Sequence, residues 1–102
     1  MKTGDRTPWG KANNVDEIRP GIWRVDTPGH GGYKLSRSRN AQVPESHRKP
    51  GGWYEEDCDW SIPLLVFASE FNAEEVDLAS KTAGIWHPTL VAEITREEAR
   101  KA

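Results

Sequence analysis

The sequence predicts a single α+β domain, an N-terminal three-stranded antiparallel meander with two or three C-terminal helices packed on one face. Three observations carry that expectation. Short β-branched and aromatic runs alternate with Pro-Gly and Gly-Gly pairs before residue 36. Apolar residues recur at helical spacing after residue 60. The whole chain is 102 residues, the size of one hydrophobic core, so residues 1–102 are read as one domain.

The first twelve residues are polar apart from Trp9, which predicts a loosely ordered start over residues 1–12. Strands are expected at residues 15–19, 22–27 and 33–36, with reversals at Pro20-Gly21 and at Pro28-Gly-His-Gly-Gly32. Alternation along the second strand points Trp23 and Val25 inward, with Ile22 near the turn. The glycines of the second reversal are expected to supply positive φ and to leave His30 exposed at the tip, where a recognition residue would sit. Ser36 or Ser38 then caps a short helical turn that Pro44 limits, and Gly51-Gly52 interrupts regular structure.

Residues 55–71 read as the core helix. Glu55, Glu56 and Asp57 suit a first turn, where the helix dipole favours anions, and Trp60, Leu64, Phe67 and Phe71 share one face. Pro63 either kinks this helix or opens a second one. Asn72 with Glu75 is a capping-box variant for a helix over 73–85, with Val76, Ala79 and Ala83 inward, ending before His87-Pro88. Residues 88–102 have helical content, and 96–102 are expected to fray. Hydrophobic residues make up only 35% of the chain, so the five tryptophans, Trp9, Trp23, Trp53, Trp60 and Trp86, are expected to anchor the core.

No apolar run approaches the ~20 residues of a membrane span, and the N-terminus has no signal-like apolar region; the expected location is the cytoplasm. A single cysteine, Cys58, excludes an internal disulfide. Charge is divided along the chain. Residues 1–51 carry ten Lys/Arg against five Asp/Glu, a balance of +5, and residues 52–102 carry four against eleven, a balance of −7. Either the halves attract each other in the fold, or each offers a field to a partner.

Motifs for chemistry are few. The Pro28-Gly-His-Gly-Gly-Tyr33 string matches neither a Walker loop nor GxGxxG. Cys58 lies between Asp57 and Asp59, which raise a thiol's pKa and oppose a reactive thiolate. His30, His47 and His87 stand 17 and 40 residues apart, so a zinc site would need ligands from distant elements. The run Glu55-Glu-Asp-Cys-Asp59 lacks the alternating oxygens and central glycine of a calcium loop. The expectation is a protein without catalytic residues, cofactor or metal.

The strings Thr7-Pro-Trp-Gly-Lys11, Pro20-Gly-Ile-Trp23, Thr27-Pro-Gly-His-Gly-Gly32, Lys34-Leu-Ser36, Arg39-Asn40 and Gly52-Trp-Tyr-Glu-Glu-Asp-Cys-Asp-Trp60 resemble an uncharacterised domain family. Its members are small hypothetical proteins of proteobacterial phages, prophages and plasmids, or modules of larger plasmid-borne proteins. The resemblance covers about residues 7–88 and implies a mobile-element setting without assigning an activity.

That setting, by analogy with anti-CRISPR proteins, leads to a first functional expectation. The chain is read as a non-enzymatic inhibitor of a host nucleic-acid-targeting defence complex, its partner a CRISPR effector (Cas) subunit in the host cytoplasm. Eight carboxylates fall between residues 55 and 77 without a Lys or Arg. Glu55, Glu56, Asp57, Asp59, Glu74, Glu75 and Asp77 would mimic a row of phosphates, with Trp53, Tyr54 and His30 adding contacts at the edge. The alternative is an accessory module that binds nucleic acid or a partner protein through residues 33–54. There Lys34, Arg37, Arg39, Arg48 and Lys49 lie between Tyr33 and the Trp53-Tyr54 pair. A sequence pI of about 5.9 speaks against nucleic acid binding as the main role. A third reading, a small enzyme, would use His30 or Cys58.

Overall fold

Strand order follows chain order. The computed structural model describes residues 1–101. A small hairpin of β1 (Arg6–Thr7) and β2 (Gly10–Lys11) precedes four antiparallel strands, β3 (Asn14–Arg19), β4 (Ile22–Asp26), β5 (Gly31–Leu35) and β6 (Trp53–Glu55), which lie side by side in that order. The α+β class is as expected. The meander, however, has four strands, because Trp53–Glu55 pairs with β5 instead of starting a helix.

Gly51 and Gly52 cause this difference. Their φ values of 69° and 79° belong to a backbone region that other residues enter at a cost. The turn they make sets Trp53, Tyr54 and Glu55 opposite Lys34, Tyr33 and Gly32, and aromatic residues favour such a half-buried pleated position. Of the acidic residues that read as a helix start, Glu55 therefore ends a strand and Glu56 and Asp57 follow it. The Glu55 carboxylate accepts hydrogen bonds from the backbone N–H groups of Asp57, Cys58 and Asp59, at 2.8, 3.1 and 3.3 Å, and closes a tight turn.

Four α-helices complete the described residues. Ser36 caps α1 (Arg37–Asn40), its Oγ accepting from the Arg39 N–H at 3.2 Å. Pro63 is the third residue of α2 (Ser61–Val66), in a first turn where the missing N–H has no intrahelical partner to lose. It thus lies at the start of a new helix and kinks nothing. Asn72 caps α3 (Ala73–Trp86) by accepting from the Glu75 N–H at 2.8 Å, an interaction typically worth ~1 kcal/mol. Ala79 and Ala83 are buried on its inner side, and Val76 is half-buried. The chain turns at His87-Pro88 and continues into α4 (Leu90–Lys101). The fraying expected over 96–102 extends onto residue 102, which is outside the described residues.

The sheet is covered on both faces. On one, Ile22, Tyr33, Leu35 and Tyr54 join Ile62, Leu64, Phe67, Ala79, Ala83 and Leu90 in the main core. On the other, Val25 is fully buried beneath the N-terminal hairpin, with Trp23 and Trp53 half-buried beside it. The expected inward pair is corrected accordingly: Ile22 enters the main core, while Trp23 and Val25 face the opposite side. Strand alternation cannot tell the two faces apart when both are covered. The tryptophans are not the core anchors either. Trp9, Trp23, Trp53 and Trp60 are half-buried and Trp86 is 63% exposed, because a small domain has little room to enclose so large a side chain.

The two charged halves do meet. Arg24 lies near Glu56, Arg39 pairs with Glu70, His47 with Glu93 and Lys49 with Asp59, each pair crossing from the basic half to the acidic one. No helix of the described residues is long and apolar enough to cross a membrane.

Candidate functional site

The outer face of the sheet carries the most site-like feature. Register sets Trp23 opposite Lys34 and Lys34 opposite Trp53, one row across β4, β5 and β6. The Lys34 Nζ lies 4.6 Å from the centre of the Trp53 ring and donates a hydrogen bond to the Gly51 carbonyl. Trp9, carried by the β1–β2 hairpin, meets Trp53 edge-on with ring centres 5.5 Å apart. Between hairpin and sheet runs an open groove of about 410 Å³, lined by Met1, Asp5 and Arg6 on one side and Trp23, Lys34, Ser36, Arg37 and Trp53 on the other.

The electrostatics of this groove are basic. Among the described residues, the side chains of Arg6 and Arg37 make no hydrogen bond or ion pair, and both are exposed. Burial pushes the Lys34 ammonium below its ordinary pKa, since desolvation disfavours the charged form. An anion in the groove would relieve that cost.

The structure divides the predicted basic segment. Lys34 and Arg37 reach the groove, whereas Arg39 is bound to Glu70 and lies 4.7 Å over the Phe67 ring. Arg48 donates to the carbonyls of Ala41 and Val43, and Lys49 stands 3.8 Å from Asp59. Tyr33 and Tyr54 are in the main core, at 8% and 0% exposure, so neither can stack on a ligand. Trp53 keeps its place at the surface because it occupies the opposite strand parity to Tyr54. Sequence reasoning missed Arg6 and Trp23 as groove residues. The alternation of β4 held the signal for Trp23, and nothing local marked Arg6.

The acidic set is divided too. Glu55 is occupied by three backbone N–H groups, Asp59 stands near Lys49 and 3.3 Å from the His87 Nε2, and Asp77 pairs with Lys81 on an exposed helix face. Glu56, Asp57 and Glu74 are exposed, and Glu75 is half-exposed. The fold adds two acids the sequence reading did not include. Asn14 Nδ2 donates to Asp16 and Asp26, and Arg24, which lies 5.6 Å over Tyr33, reaches Asp26 at 3.3 Å and Glu56 at 3.9 Å. Asp26 and Glu56 thus flank Arg24 on β4, and Asp16 stands opposite it across the β3–β4 pairing.

His30 sits exposed at the β4–β5 tip, its carbonyl accepting from the Thr27 N–H and hydroxyl at 2.7 Å each. The glycines around it do not supply positive φ as expected; Gly31 and Gly32 are buried strand residues whose missing Cβ makes room for neighbours. The histidine beside Cys58 is His87. Burial, with Glu55 and Asp59 against the sulfur, pushes the Cys58 thiol up to about 11, away from nucleophilic use at neutral pH.

Residues 2–102 match the model of a family described as a domain of unknown function, DUF7007. No curated protein and no solved structure matches the chain at a significant level.

Proposed function

The chain belongs to the DUF7007 domain family, and we propose that it is a non-enzymatic binding module whose outer sheet face takes single-stranded nucleic acid. The observation that carries this reading is the row Trp23, Lys34, Trp53 beneath a groove whose Arg6 and Arg37 have no internal partner among the described residues. Cations along a concave surface neutralise phosphates, and an aromatic face offers a base about 1–3 kcal/mol of stacking. The overall acidic pI does not oppose this, because Arg24, Arg39, Lys49 and Lys81 stand beside acids elsewhere in the fold while the groove cations pair with none among the described residues. The resemblance to proteins of phages, prophages and plasmids supports a setting where nucleic acid is at hand.

Fluorescence anisotropy of a labelled oligothymidylate tests the proposal. Binding is expected at about 50 mM salt, with a log–log salt slope near −2 from three phosphate contacts. Trp23→Ala and Arg37→Glu should each weaken it while leaving the circular dichroism spectrum unchanged. Absence of binding, or equal binding by both folded variants, overturns it.

One observation favours a second reading, the inhibitor of a nucleic-acid-targeting complex. Asp16, Asp26 and Glu56 beside Arg24, with Asp57 and Glu74 exposed, form an acidic surface that suits a basic channel such as that of a CRISPR effector in the host cytoplasm. Its test is a pull-down from a bacterium with an active CRISPR system. Recovery of a Cas subunit by the wild type, lost in the Glu56→Lys, Asp57→Lys, Glu74→Lys variant, supports this reading over the first.

A further inference from the structure

We propose that Cys58, Asp59 and His87 bind one tetrahedral divalent cation of the zinc class, which joins the turn after β6 to the junction of α3 and α4. One ligand atom from each of the three residues lies within 4.8 Å of the others. The Cys58 Sγ is 3.7 Å from Asp59 Oδ1, and His87 Nε2 is 3.3 Å from that same oxygen. Tetrahedral zinc with bonds of about 2.0–2.3 Å needs ligand atoms roughly 3.3–3.6 Å apart; both distances to Asp59 Oδ1 are close to this, and the third pair lies within 4.8 Å.

The alternative account, an ordinary His87–Asp59 ion pair, does not fit the geometry. His87 Nε2 is buried and makes no hydrogen bond, although the carboxylate oxygen is at hydrogen-bond range. A protonated imidazole pairing with Asp59 would aim its N–H at that oxygen. A buried imidazole nitrogen left without a partner is costly, and coordination of a metal satisfies it.

The donor set also selects the ion. A thiolate, an imidazole and a carboxylate are the mixture zinc accepts, and calcium and magnesium do not. Thiolate and Asp59 together balance the two charges of the cation, and the thiol proton leaves on binding. Glu55 Oε1, 3.4 Å from Cys58 Sγ, and the Lys49 ammonium, 3.8 Å from Asp59 Oδ1, are the other charges beside the site. Lys49 competes with a cation for Asp59; its side chain is 38% exposed and free to swing into solvent. His47 packs edge-on to His87 with ring centres 5.7 Å apart, its Nδ1 held 2.7 Å from Glu93 Oε2. Three protein ligands leave the fourth position to water.

Chelator-treated protein titrated with Co²⁺ as a spectroscopic probe gives the test. One equivalent should produce a near-ultraviolet thiolate-to-cobalt band with intense visible bands of tetrahedral cobalt, all abolished by one equivalent of Zn²⁺. Cys58→Ser should lose the thiolate band, and His87→Gln should weaken cobalt binding at least tenfold. Lys49→Ala, at an exposed side chain, should tighten it and carries the comparison if His87→Gln does not fold. Absence of a thiolate band in the wild type, or unchanged affinity in the folded variants, overturns the proposal.

Discussion

The rim of the Trp9 indole passes directly over Gly32, so closely that a Cβ at position 32 would stand 2.8 Å from Trp9 Cη2. The same Cβ would lie 2.2 Å from the Tyr54 carbonyl oxygen, which cannot move without breaking the β5–β6 pairing. Gly32→Ala should therefore cost about 1–3 kcal/mol, the range for forcing an extra carbon into a packed site. Gly29→Ala, where nothing lies within 4 Å, is the control and should cost much less. Urea unfolding of the two variants decides it; equal midpoints would mean that neither the Trp9 ring nor the β5–β6 pairing closes over Gly32 in this way.

Arg39 and Glu70 tie α1 to the segment that follows α2. Their fork-to-fork pairing is partly buried, at 16% and 30% side-chain exposure, and should contribute about 1–2 kcal/mol, less than a fully buried pair because water screens it. The Arg39 guanidinium holds the Glu70 carboxyl below its usual range, burial opposing it in smaller measure. A depressed carboxyl pKa stabilises the fold above the unfolded value, near 4.5, and that contribution is lost as pH falls through the lower folded value. Acid unfolding should thus be less steep in Glu70→Gln, which already lacks the pair, than in the wild type. A wild-type slope retained in the variant would remove Glu70 as the cause.

Local signals proved legible where a side chain acts on its own backbone. Asn72 caps the helix it was expected to cap, Ser36 is the one of the two candidate serines that caps α1, and Pro63 falls at one of the two places its chemistry allows. Signals that depend on what lies across the fold were not legible. Glu55 resembles a helix-starting anion until Gly51 and Gly52 turn the chain and make it a strand residue. Tyr54 and Trp53 are neighbours in sequence, yet one is at the centre of the core and the other lines the groove, a consequence of strand parity that composition cannot supply. The Cys58, Asp59 and His87 cluster was hidden for a similar reason. Its members come from a turn and from a helix end 28 residues later, and only tertiary packing brings them together.

The Tyr54 hydroxyl is fully enclosed, where it donates to Asn40 Oδ1 and accepts the Lys49 N–H at 3.2 Å. Tyr54→Phe keeps the ring but leaves both partners unsatisfied, at a cost of about 1–3 kcal/mol. Because these partners hold the segment from α1 to Lys49, hydrogen exchange of its amides should speed up more than that of α3. Uniform acceleration over the whole chain would indicate global destabilisation without a local tie.

Trp9 connects the hairpin to both the sheet and the groove. Its carbonyl oxygen lies 3.2 Å from the Thr27 hydroxyl oxygen, its ring covers Gly32 and meets Trp53, and the same hairpin carries Arg6 to the groove wall. The main core lies on the opposite face, so Trp9→Ala should unseat the hairpin while β3–β6 and the helices remain folded. A half-buried indole of this kind is worth about 1–3 kcal/mol, below the range for a fully buried one. Limited proteolysis should then cut within residues 1–13 much faster than in the wild type, with the remainder resistant. Oligothymidylate binding should weaken in parallel, because Arg6 is no longer held opposite Arg37. Faster cleavage with unchanged binding would separate the hairpin from the groove's function and leave Trp23, Lys34 and Arg37 as the whole of the site.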